Sequence, residues 1–289
     1  MQADCRGYRE AADAARRLYP LFALHAPPSD ASASAGYDRV KKEKLQGEDK
    51  MDTRNIKLLA FDLDGTITQH KSPLSASNRE LLDLLSKKYR LLIVGAGMCD
   101  RIFEQMRDYP IDIIGNYGMQ YAKCTPDGSL HIIENIQVPC DRVSVEHRVT
   151  ALRKKYGFEN YSGESVEYHT SGCVTFPILG TKAKLEDKLA FDPDRKKRRT
   201  IYQYVRETFS DYIVFIGGSS SFDLSPAPYN KYYALNKYCA ANGISHEQTV
   251  YVGDDYGDGG NDESVYRSDF CFVTIDDYRN FSQRMGAFL

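Results

Sequence analysis

A short apolar segment that ends in two closely spaced carboxylates constrains the fold of this chain more than any other feature. Residues 58–61 are all apolar, and residues 62–66, which read DLDGT, follow directly. Such an apolar run is typical of a strand buried in a sheet. In open α/β sheets, ligands bind just beyond the carboxyl ends of the strands. We therefore expect Asp62 at a functional edge of a sheet, and we expect Asp64 to reach the same pocket only if the chain coils after Asp62.

This carboxylate pair also has simpler interpretations. A calcium loop of the EF-hand type requires Gly at its sixth position and Glu at its twelfth. Counted from Asp62, those positions hold Ile67 and Pro73, so the sequence excludes such a loop. A strand that ends in an ordinary turn with two solvated aspartates remains open on this segment alone.

Further apolar segments alternate with predicted helices along much of the chain. Strands are predicted at residues 91–94, 111–115, 249–252 and 270–274, helices at 77–89, 99–106 and 231–241, and a hairpin at 119–133. Strands that alternate with helices indicate a parallel sheet with helices on its faces. We therefore predict an α/β fold with a Rossmann-like parallel-sheet core.

The pattern changes between residues 138 and 228. Two units are predicted there, each a helix followed by two strands, with helices at 144–156 and 192–209 and strands at 165–168, 173–179, 212–216 and 221–224. This pattern indicates a small α+β module with an antiparallel sheet, which we interpret as an inserted cap domain. The basic run at residues 195–199 is interpreted chiefly as a solvated helix face, with contact to a phosphate-rich ligand as the alternative.

The predicted domain boundaries follow from these patterns. The core is predicted at residues 55–137 and 229–289, with the cap at 138–228 between its two parts. Residues 1–54 are predicted to be a disordered or non-native extension, because residues 29–50 contain few apolar side chains and Met51 is a candidate alternative start.

Composition and charge exclude several classes of partner. The chain has 289 residues, of which 42% are hydrophobic, and this is enough for a sizeable core and two domains. A net charge of −2 gives no general attraction to nucleic acid or to an anionic membrane. No apolar run approaches the roughly 20 residues that span a bilayer. Seven cysteines without a C-x-x-C pair indicate a reducing, cytoplasmic location. A homodimer is compatible with the sequence.

A loop of small residues follows the predicted strand at residues 91–94. Gly95, Ala96 and Gly97 lie between this strand and a predicted helix, where backbone N–H groups can bind an anion. Considered alone, the loop is more simply a tight turn. Beside the acidic segments it becomes a candidate site for the phosphate of a substrate.

A second acidic segment follows the predicted strand at residues 249–252. Residues 253–262 contain four aspartates and four glycines, and Lys231 begins a predicted helix earlier in the chain. Carboxylates about 4 Å apart repel each other by about 1 kcal/mol in water and by several-fold more in a cleft. Mg²⁺ prefers oxygen ligands and bridges to phosphate, so it would neutralise such a cluster.

These groups suit phosphoryl transfer, in which catalysis depends mostly on positioning and on charge neutralisation. Asp62 would be the nucleophile that forms an aspartyl-phosphate. Asp64 would protonate the leaving oxygen and then deprotonate the attacking water. Lys231 would contribute a fixed positive charge.

The two acidic motifs, the small-residue loop and the lysine together resemble the haloacid dehalogenase superfamily of phosphotransferases over residues 56–289. The inserted module resembles the large α+β cap of one class in that superfamily. Residues 215–223, 230–235 and 259–262 are similar to eukaryotic-type phosphomannomutases. The resemblance implies a Rossmann-like core, a cap that closes over the site and a Mg²⁺-dependent phosphoryl-transfer centre.

The resemblance also implies roles for individual residues. Asp62, the backbone carbonyl of Asp64 and Asp254 would hold Mg²⁺, and Asp262 would support the metal site. From the cap, two side chains would contact the sugar, namely those of Ser221 and Asp223.

The sequence departs from the family at positions that bind phosphate. Gly97 stands where the family has Ser or Thr. The arginines that grip a second phosphate in phosphomannomutases are replaced by Lys71, His169, Thr181 and Lys188, of which Lys188 is retained as a candidate substrate-binding residue. Arg binds phosphate through two parallel hydrogen bonds, whereas Lys is a point charge. We therefore predict a Mg²⁺-dependent phosphatase for a small phosphorylated metabolite, with a sugar phosphate as the favoured class. A phosphohexomutase is the alternative, and a non-catalytic binding protein is the third hypothesis.

Overall fold

The computed structural model describes residues 53–289. The predicted extension at residues 1–54 therefore lies outside the described residues, apart from its last two residues in a 3₁₀ turn at Thr53–Asn55. The strands are β1 (Leu58–Phe61), β2 (Arg90–Val94), β3 (Asp112–Gly115), β4 (Gln120–Cys124), β5 (Leu130–Asn135), β6 (Glu167–Tyr168), β7 (Val174–Pro177), β8 (Tyr212–Phe215), β9 (Ser221–Pro226), β10 (Thr249–Gly253) and β11 (Cys271–Thr274). The α-helices are α1 (Ala76–Leu85), α2 (Cys99–Gln105), α3 (Arg142–Tyr156), α4 (Leu185–Phe191), α5 (Lys196–Thr208), α6 (Lys231–Asn242), α7 (Glu263–Tyr266) and α8 (Phe281–Met285). Among these described helices, none has the length and apolar composition needed to cross a lipid bilayer.

In the part of the chain that the structure describes, the larger sheet has seven strands in the order β11-β10-β1-β2-β3-β4-β5. Neighbouring strands are parallel from β11 to β3 and antiparallel from β3 to β5. All four residues of β1 are buried, as its apolar sequence predicts. On one side Leu58 and Ala60 pack with Ala234 and Leu235 of helix α6. The predicted α/β fold with a parallel-sheet core is confirmed.

The strand order decides which loops lie side by side. Strand β1 lies between β10 and β2, and Phe61 is in register with both Val252 and Ile93. Because all three strands are parallel, their carboxyl ends meet at one edge of the sheet. The acidic segment after β1, the small-residue loop after β2 and the acidic segment after β10 therefore begin at this edge.

A second sheet, formed within residues 167–226, has the strand order β6-β7-β9-β8. Each neighbouring pair in it is antiparallel. Helices α3 and α5 contribute Val149 and Val205 to a buried cluster with Phe176 and Phe222 of the sheet. We refer to residues 138–228 as the cap, and the domain boundaries themselves remain a prediction.

Helix α4 is missing from the sequence-based prediction. None of its residues is buried, and the side chains of Leu185 and Leu189 are 70% and 56% exposed. A helix is recognised in sequence mainly by an apolar stripe that faces a core. This helix has no such stripe, so its sequence looks like a loop.

The basic run at residues 195–199 does not form a uniformly solvated face. Arg198 is buried and donates to Asp192 at 2.8 Å and to backbone carbonyls of the loop between β8 and β9. Arg195 forms an ion pair with Asp255, which lies in the acidic segment after β10. The interpretation as a solvated face is therefore wrong for these two arginines. Their contacts stabilise the cap internally and join it to the core.

Candidate active site

The edge of the larger sheet brings the two acidic segments together. Asp62 directly follows β1 and donates its N–H to the carbonyl of Val252 at 2.9 Å, while Asp254 directly follows β10. Oxygen atoms of Asp62, Asp254 and Asp262 lie within 4.8 Å of one another. Residues that lie far apart in sequence thus form one carboxylate cluster, as predicted.

Lys231 lies inside this cluster. Its Nζ donates to Oδ1 of Asp62 at 2.6 Å and to Oδ1 of Asp262 at 2.8 Å, and its side chain is completely buried. It is the first residue of helix α6, whose start is set by Asn230, because the side chain of Asn230 accepts the N–H of Tyr233. A local capping interaction therefore positions the ammonium group.

Both carboxylate oxygens of Asp262 accept hydrogen bonds from protein groups. Its Oδ1 also accepts the hydroxyl of Tyr251 at 2.6 Å, and its Oδ2 accepts the N–H of Asp255 at 3.0 Å. With both oxygens engaged by protein donors, Asp262 fits the predicted supporting role better than that of a direct metal ligand. Tyr251 was not predicted as a site residue, because it lies in an apolar strand and its hydroxyl gives no signal in the sequence.

Burial and mutual repulsion shift the pKa values of the cluster. Burial raises the pKa of Asp62 well above its ordinary value, Lys231 opposes this shift, and Asp262 and Asp254 reinforce it. Burial together with Asp262 raises the pKa of Asp254 to about 6. Burial alone would lower the pKa of Lys231, but Asp262 and Asp62 raise it above its ordinary value, so the lysine stays charged. Three carboxylates thus face one ammonium group, and a cation would relieve the remaining repulsion.

Asp64 points away from this cluster. Its Oδ1 accepts the N–H of Lys71 and the Nε2 of Gln105, each at 2.7 Å, and Arg101 lies 3.7 Å from its Oδ2. The coil after Asp62 causes this direction, since the N–H groups of residues 66–68 all point to the carbonyl of Leu63. The structure does not bring the Asp64 carboxylate to the predicted metal site. The metal-binding role of its backbone carbonyl stays a prediction.

Gly65 allows Asp254 to enter the site. A Cβ atom at position 65 would lie 2.7 Å from Cγ of Asp254, closer than real Cβ atoms approach other atoms, and φ of Gly65 is +93°. The neighbouring Thr66 donates its hydroxyl to Oδ1 of Asp254 at 2.9 Å. The DLDGT segment therefore supplies the nucleophile candidate. It also supplies the space and the hydroxyl donor that hold Asp254 of the second acidic segment.

The predicted phosphate-binding loop is only partly available to a ligand. Gly95 donates its N–H to the carbonyl of Ile114 at 2.8 Å. Contrary to the expectation, Gly95 therefore does not offer its N–H group to a substrate. The N–H groups of Ala96 and Gly97 remain predicted phosphate-binding groups.

The predicted sugar-binding residues lie on strand β9 of the cap. Ser221 and Asp223 are two positions apart, so their side chains point to the same face of the sheet. Ser221 donates its hydroxyl to the carbonyl of Gly217 at 3.0 Å, and Asp223 accepts the hydroxyl of Thr175 at 3.1 Å. Burial raises the pKa of Asp223. Lys188 lies on helix α4, where its Nζ donates to a backbone carbonyl of the cap at 3.0 Å.

Tyr117 connects this part of the cap with the core. Its ring stacks on that of Phe215 with centroids 4.6 Å apart. Burial raises the pKa of Tyr117 well above its ordinary value, and the negative charges of Asp223 in the cap and of Asp62 in the core contribute to this shift. Tyr117 therefore contacts the cap through Phe215, a contact that the sequence does not indicate.

The donor atoms at the cluster fit Mg²⁺. Asp62 and Asp254 each use Oδ1 for a protein donor, and their Oδ2 atoms have no hydrogen-bond partner among residues 53–289. Within the same residues, Oδ1 of Asn261 is buried without a hydrogen-bond partner. A cluster of carboxylate oxygens without sulfur or imidazole is a donor set that suits Mg²⁺.

Comparisons with known proteins agree with this fold. The chain superposes on the IMP-bound IMP-nucleotidase of Plasmodium falciparum with a TM-score of 0.59 and 15% identity, over 97% of this chain and 79% of that one. At this identity the likeness concerns the fold alone. The fold and the acidic site resemble those of the haloacid dehalogenase superfamily of enzymes.

In sequence the chain is similar to the eukaryotic phosphomannomutases. The family model for eukaryotic phosphomannomutase matches residues 157–276. A probable phosphomannomutase of Caenorhabditis elegans is 26% identical over 228 residues, which is 72% of this chain and 85% of the relative. The phosphomannomutase of Schizosaccharomyces pombe is 27% identical over 241 residues, 72% of this chain and 84% of the relative.

Proposed function

We propose that this chain transfers the phosphoryl group of a small phosphorylated sugar through Asp62, in the manner of a phosphohexomutase. The observation that carries the proposal is the buried contact of Lys231 with both Asp62 and Asp262. These contacts hold the nucleophile candidate, a fixed positive charge and the second acidic segment in one cluster. The names of the relatives favour a mutase over the phosphatase that the replaced arginines predict.

Asp62 is the nucleophile in this proposal. Lys231 binds Oδ1 and so fixes the orientation of the nucleophilic carboxylate. The new bond joins an Asp62 oxygen to phosphorus, and the bond between phosphorus and the sugar oxygen breaks. Mg²⁺ bound by Asp62 and Asp254 would supply charge neutralisation for the carboxylates and the phosphoryl oxygens.

Asp64 is the acid and base of the two half-reactions. Its carboxyl group is about one-fifth exposed, and its direction is fixed by the N–H of Lys71 and by Gln105. In the first step it gives a proton to the sugar oxygen that leaves. In the second step it takes the proton of the hydroxyl group that attacks the aspartyl-phosphate; the new bond joins this oxygen to phosphorus, and the bond between phosphorus and the Asp62 oxygen breaks.

Hydrolysis is the second candidate, and contacts within the cap favour it. Thr181 accepts the N–H of Glu164 through its hydroxyl at 2.8 Å, and Lys188 donates to the carbonyl of Thr181 at 3.0 Å. Both residues stand where phosphomannomutases are expected to grip a second phosphate, and both are engaged within the cap. Weak binding of a bisphosphorylated sugar favours water as the final acceptor of the phosphoryl group.

The product of mannose 1-phosphate tests both candidates. The full chain is incubated with Mg²⁺, mannose 1-phosphate and a trace of hexose bisphosphate, and mannose 6-phosphate and free phosphate are measured. Mannose 6-phosphate supports the mutase, and free phosphate alone supports the phosphatase. If neither this substrate nor a panel of phosphorylated metabolites is converted, the proposed phosphoryl transfer is rejected. Binding of Mg²⁺, a cytoplasmic location and a homodimer remain predictions.

A further inference from the structure

The side chain of Arg101 occupies the space above Gly97. A Cβ atom at position 97 would lie 2.7 Å from Cζ of Arg101, closer than real Cβ atoms approach other atoms. The guanidinium group therefore lies directly against the backbone of the loop that follows β2. A serine or threonine at position 97 and the arginine in this conformation exclude each other.

Two further contacts fix the position of this guanidinium. Its Nη1 donates to Oε1 of Gln105 at 2.8 Å, and its Nη2 lies 3.7 Å from Oδ2 of Asp64. Gln105 in turn donates to Oδ1 of Asp64 at 2.7 Å. Arg101 is thereby held beside the acid–base candidate, on the side where the phosphate-binding loop lies.

The chemistry of an arginine suits this place. Guanidinium has five N–H donors in a planar fork that matches two phosphate oxygens, whereas a hydroxyl group offers a single donor. One N–H is used by Gln105, and 43% of the side chain is exposed, so a phosphate can reach the remaining donors. The positive charge also offsets the excess of carboxylates at this edge of the sheet.

We propose that Arg101 takes the place of the hydroxyl side chain that Gly97 lacks, and that it binds an oxygen of the phosphate transferred to Asp62. This inference rests on the proposed function for its substrate. Glycine at position 97 and arginine at position 101 then form one unit, in which the missing side chain makes room for the guanidinium. The site consequently selects a dianionic phosphate by charge rather than by a hydroxyl hydrogen bond.

A swap of the two side chains tests the inference. The binding of inorganic phosphate to the Mg²⁺-loaded protein is measured by calorimetry for the wild type, Arg101→Met, Gly97→Ser and the double variant. Methionine keeps the unbranched stem of the arginine and removes the fork. We expect phosphate affinity to fall at least tenfold in Arg101→Met, since a charge-assisted hydrogen bond is lost. Gly97→Ser alone is expected to bind phosphate more weakly than the wild type, because its Cβ displaces the guanidinium from its place over the loop.

The double variant shows whether Arg101 replaces the missing hydroxyl group in phosphate binding or merely lies close to the loop. With the guanidinium gone, the introduced serine hydroxyl has room to bind phosphate, so Gly97→Ser with Arg101→Met should bind phosphate several-fold better than Arg101→Met alone. Lys87→Met is the matched control, since it removes a positive charge just before β2, at the opposite edge of the sheet, and should leave affinity unchanged.

Rates with p-nitrophenyl phosphate separate this inference from the proposed function. A wild type that binds phosphate through Arg101 but shows no turnover of any phosphoester refutes the proposed function and leaves the role of Arg101 standing. The inference is overturned if Arg101→Met binds phosphate with wild-type affinity while circular dichroism shows an intact fold. Equal affinities of Arg101→Met and the double variant also overturn it.

Discussion

Lys231 Nζ lies 2.6 Å from Oδ1 of Asp62, although the two residues are 169 positions apart in sequence. The contact is completely buried on the lysine side. It therefore connects the stability of the fold with the electrostatics of the candidate active site. Substitution of the lysine should consequently change both properties.

Lys231→Met should destabilise the protein strongly. The substitution leaves the buried carboxylates of Asp62 and Asp262 without their common cation. Breaking a buried ion pair from one side costs about 3–5 kcal/mol. Urea unfolding followed by circular dichroism measures the loss. Lys237→Met, on the same helix, removes only an exposed ion pair with Glu134 and should cost less than about 1 kcal/mol. Similar costs for the two variants would show that the buried contact contributes little.

Asp62→Asn should abolish phosphoryl transfer and keep the fold. Asparagine has nearly the same shape, and it removes the carboxylate oxygen that forms the bond to phosphorus. Loss of a nucleophile is expected to lower kcat by a factor on the order of 10³ or more. Rates are measured with the substrate that the metabolite panel selects. Asp258→Asn, on the exposed face of the second acidic segment, is the matched control and should retain the wild-type rate. An unchanged rate in Asp62→Asn would remove this residue from the mechanism.

Stabilisation by Mg²⁺ should increase with pH. Without metal, the pKa of Asp254 in the folded protein is raised from 3.8 to about 6. Between these values the folded protein binds more protons than the unfolded chain. The stability that this group contributes is therefore full below about pH 4 and is lost as the pH rises through about 6. Mg²⁺ binds the ionised form and offsets this loss, so saturating Mg²⁺ should raise Tm more at about pH 7.5 than at about pH 5.

Differential scanning fluorimetry with and without Mg²⁺ at the two pH values measures this effect. Asp254→Asn should lose most of the Mg²⁺-dependent shift at both values, while Asp258→Asn should keep it. A shift in Tm that is equal at both pH values would contradict the assignment of Asp254 to the metal site.

Gly65→Ala should impair metal binding in addition to stability. The positive φ of Gly65 costs an alanine about 1–2 kcal/mol, and the new Cβ would also collide with the Asp254 carboxylate. Gly128→Ala is a matched control, because Gly128 has a similar φ of +85° but no atom within 4 Å of the place that a Cβ would take. We expect both variants to lose similar backbone stability, and Gly65→Ala alone to bind Mg²⁺ more weakly in calorimetry. Equal Mg²⁺ affinities would show that Asp254 does not need this close approach.

Local sequence patterns were sufficient to predict the framework of the molecule. The apolar run before Asp62 predicts a buried strand, because four consecutive apolar side chains require a sheet that is covered on both faces. The start of helix α6 at Lys231 is equally local, since Asn230 caps it. The alternation of strands and helices then predicts a parallel sheet, whose carboxyl edge is the natural place for the acidic segments.

Contacts between distant segments decided the rest. Thr66 reaches Asp254 only because β1 and β10 are neighbours in the sheet. Tyr251 reaches Asp262 only because the segment after β10 folds back over the end of its own strand. Both residue types are common in any core or turn. The Asp64 carboxylate was expected to reach the pocket of Asp62 if the chain coiled after Asp62, but this coil turns the carboxylate toward Gln105.

The small-residue loop after β2 is a second case in which the sequence did not predict a side-chain contact. Its glycines are visible in sequence, but the guanidinium that fills the space above Gly97 belongs to the following helix. Residue type and spacing determine strands, helices and the presence of acidic groups, because these depend on short-range backbone and burial preferences. The direction of each polar side chain depends on hydrogen-bond partners that the folded chain supplies from far away in sequence.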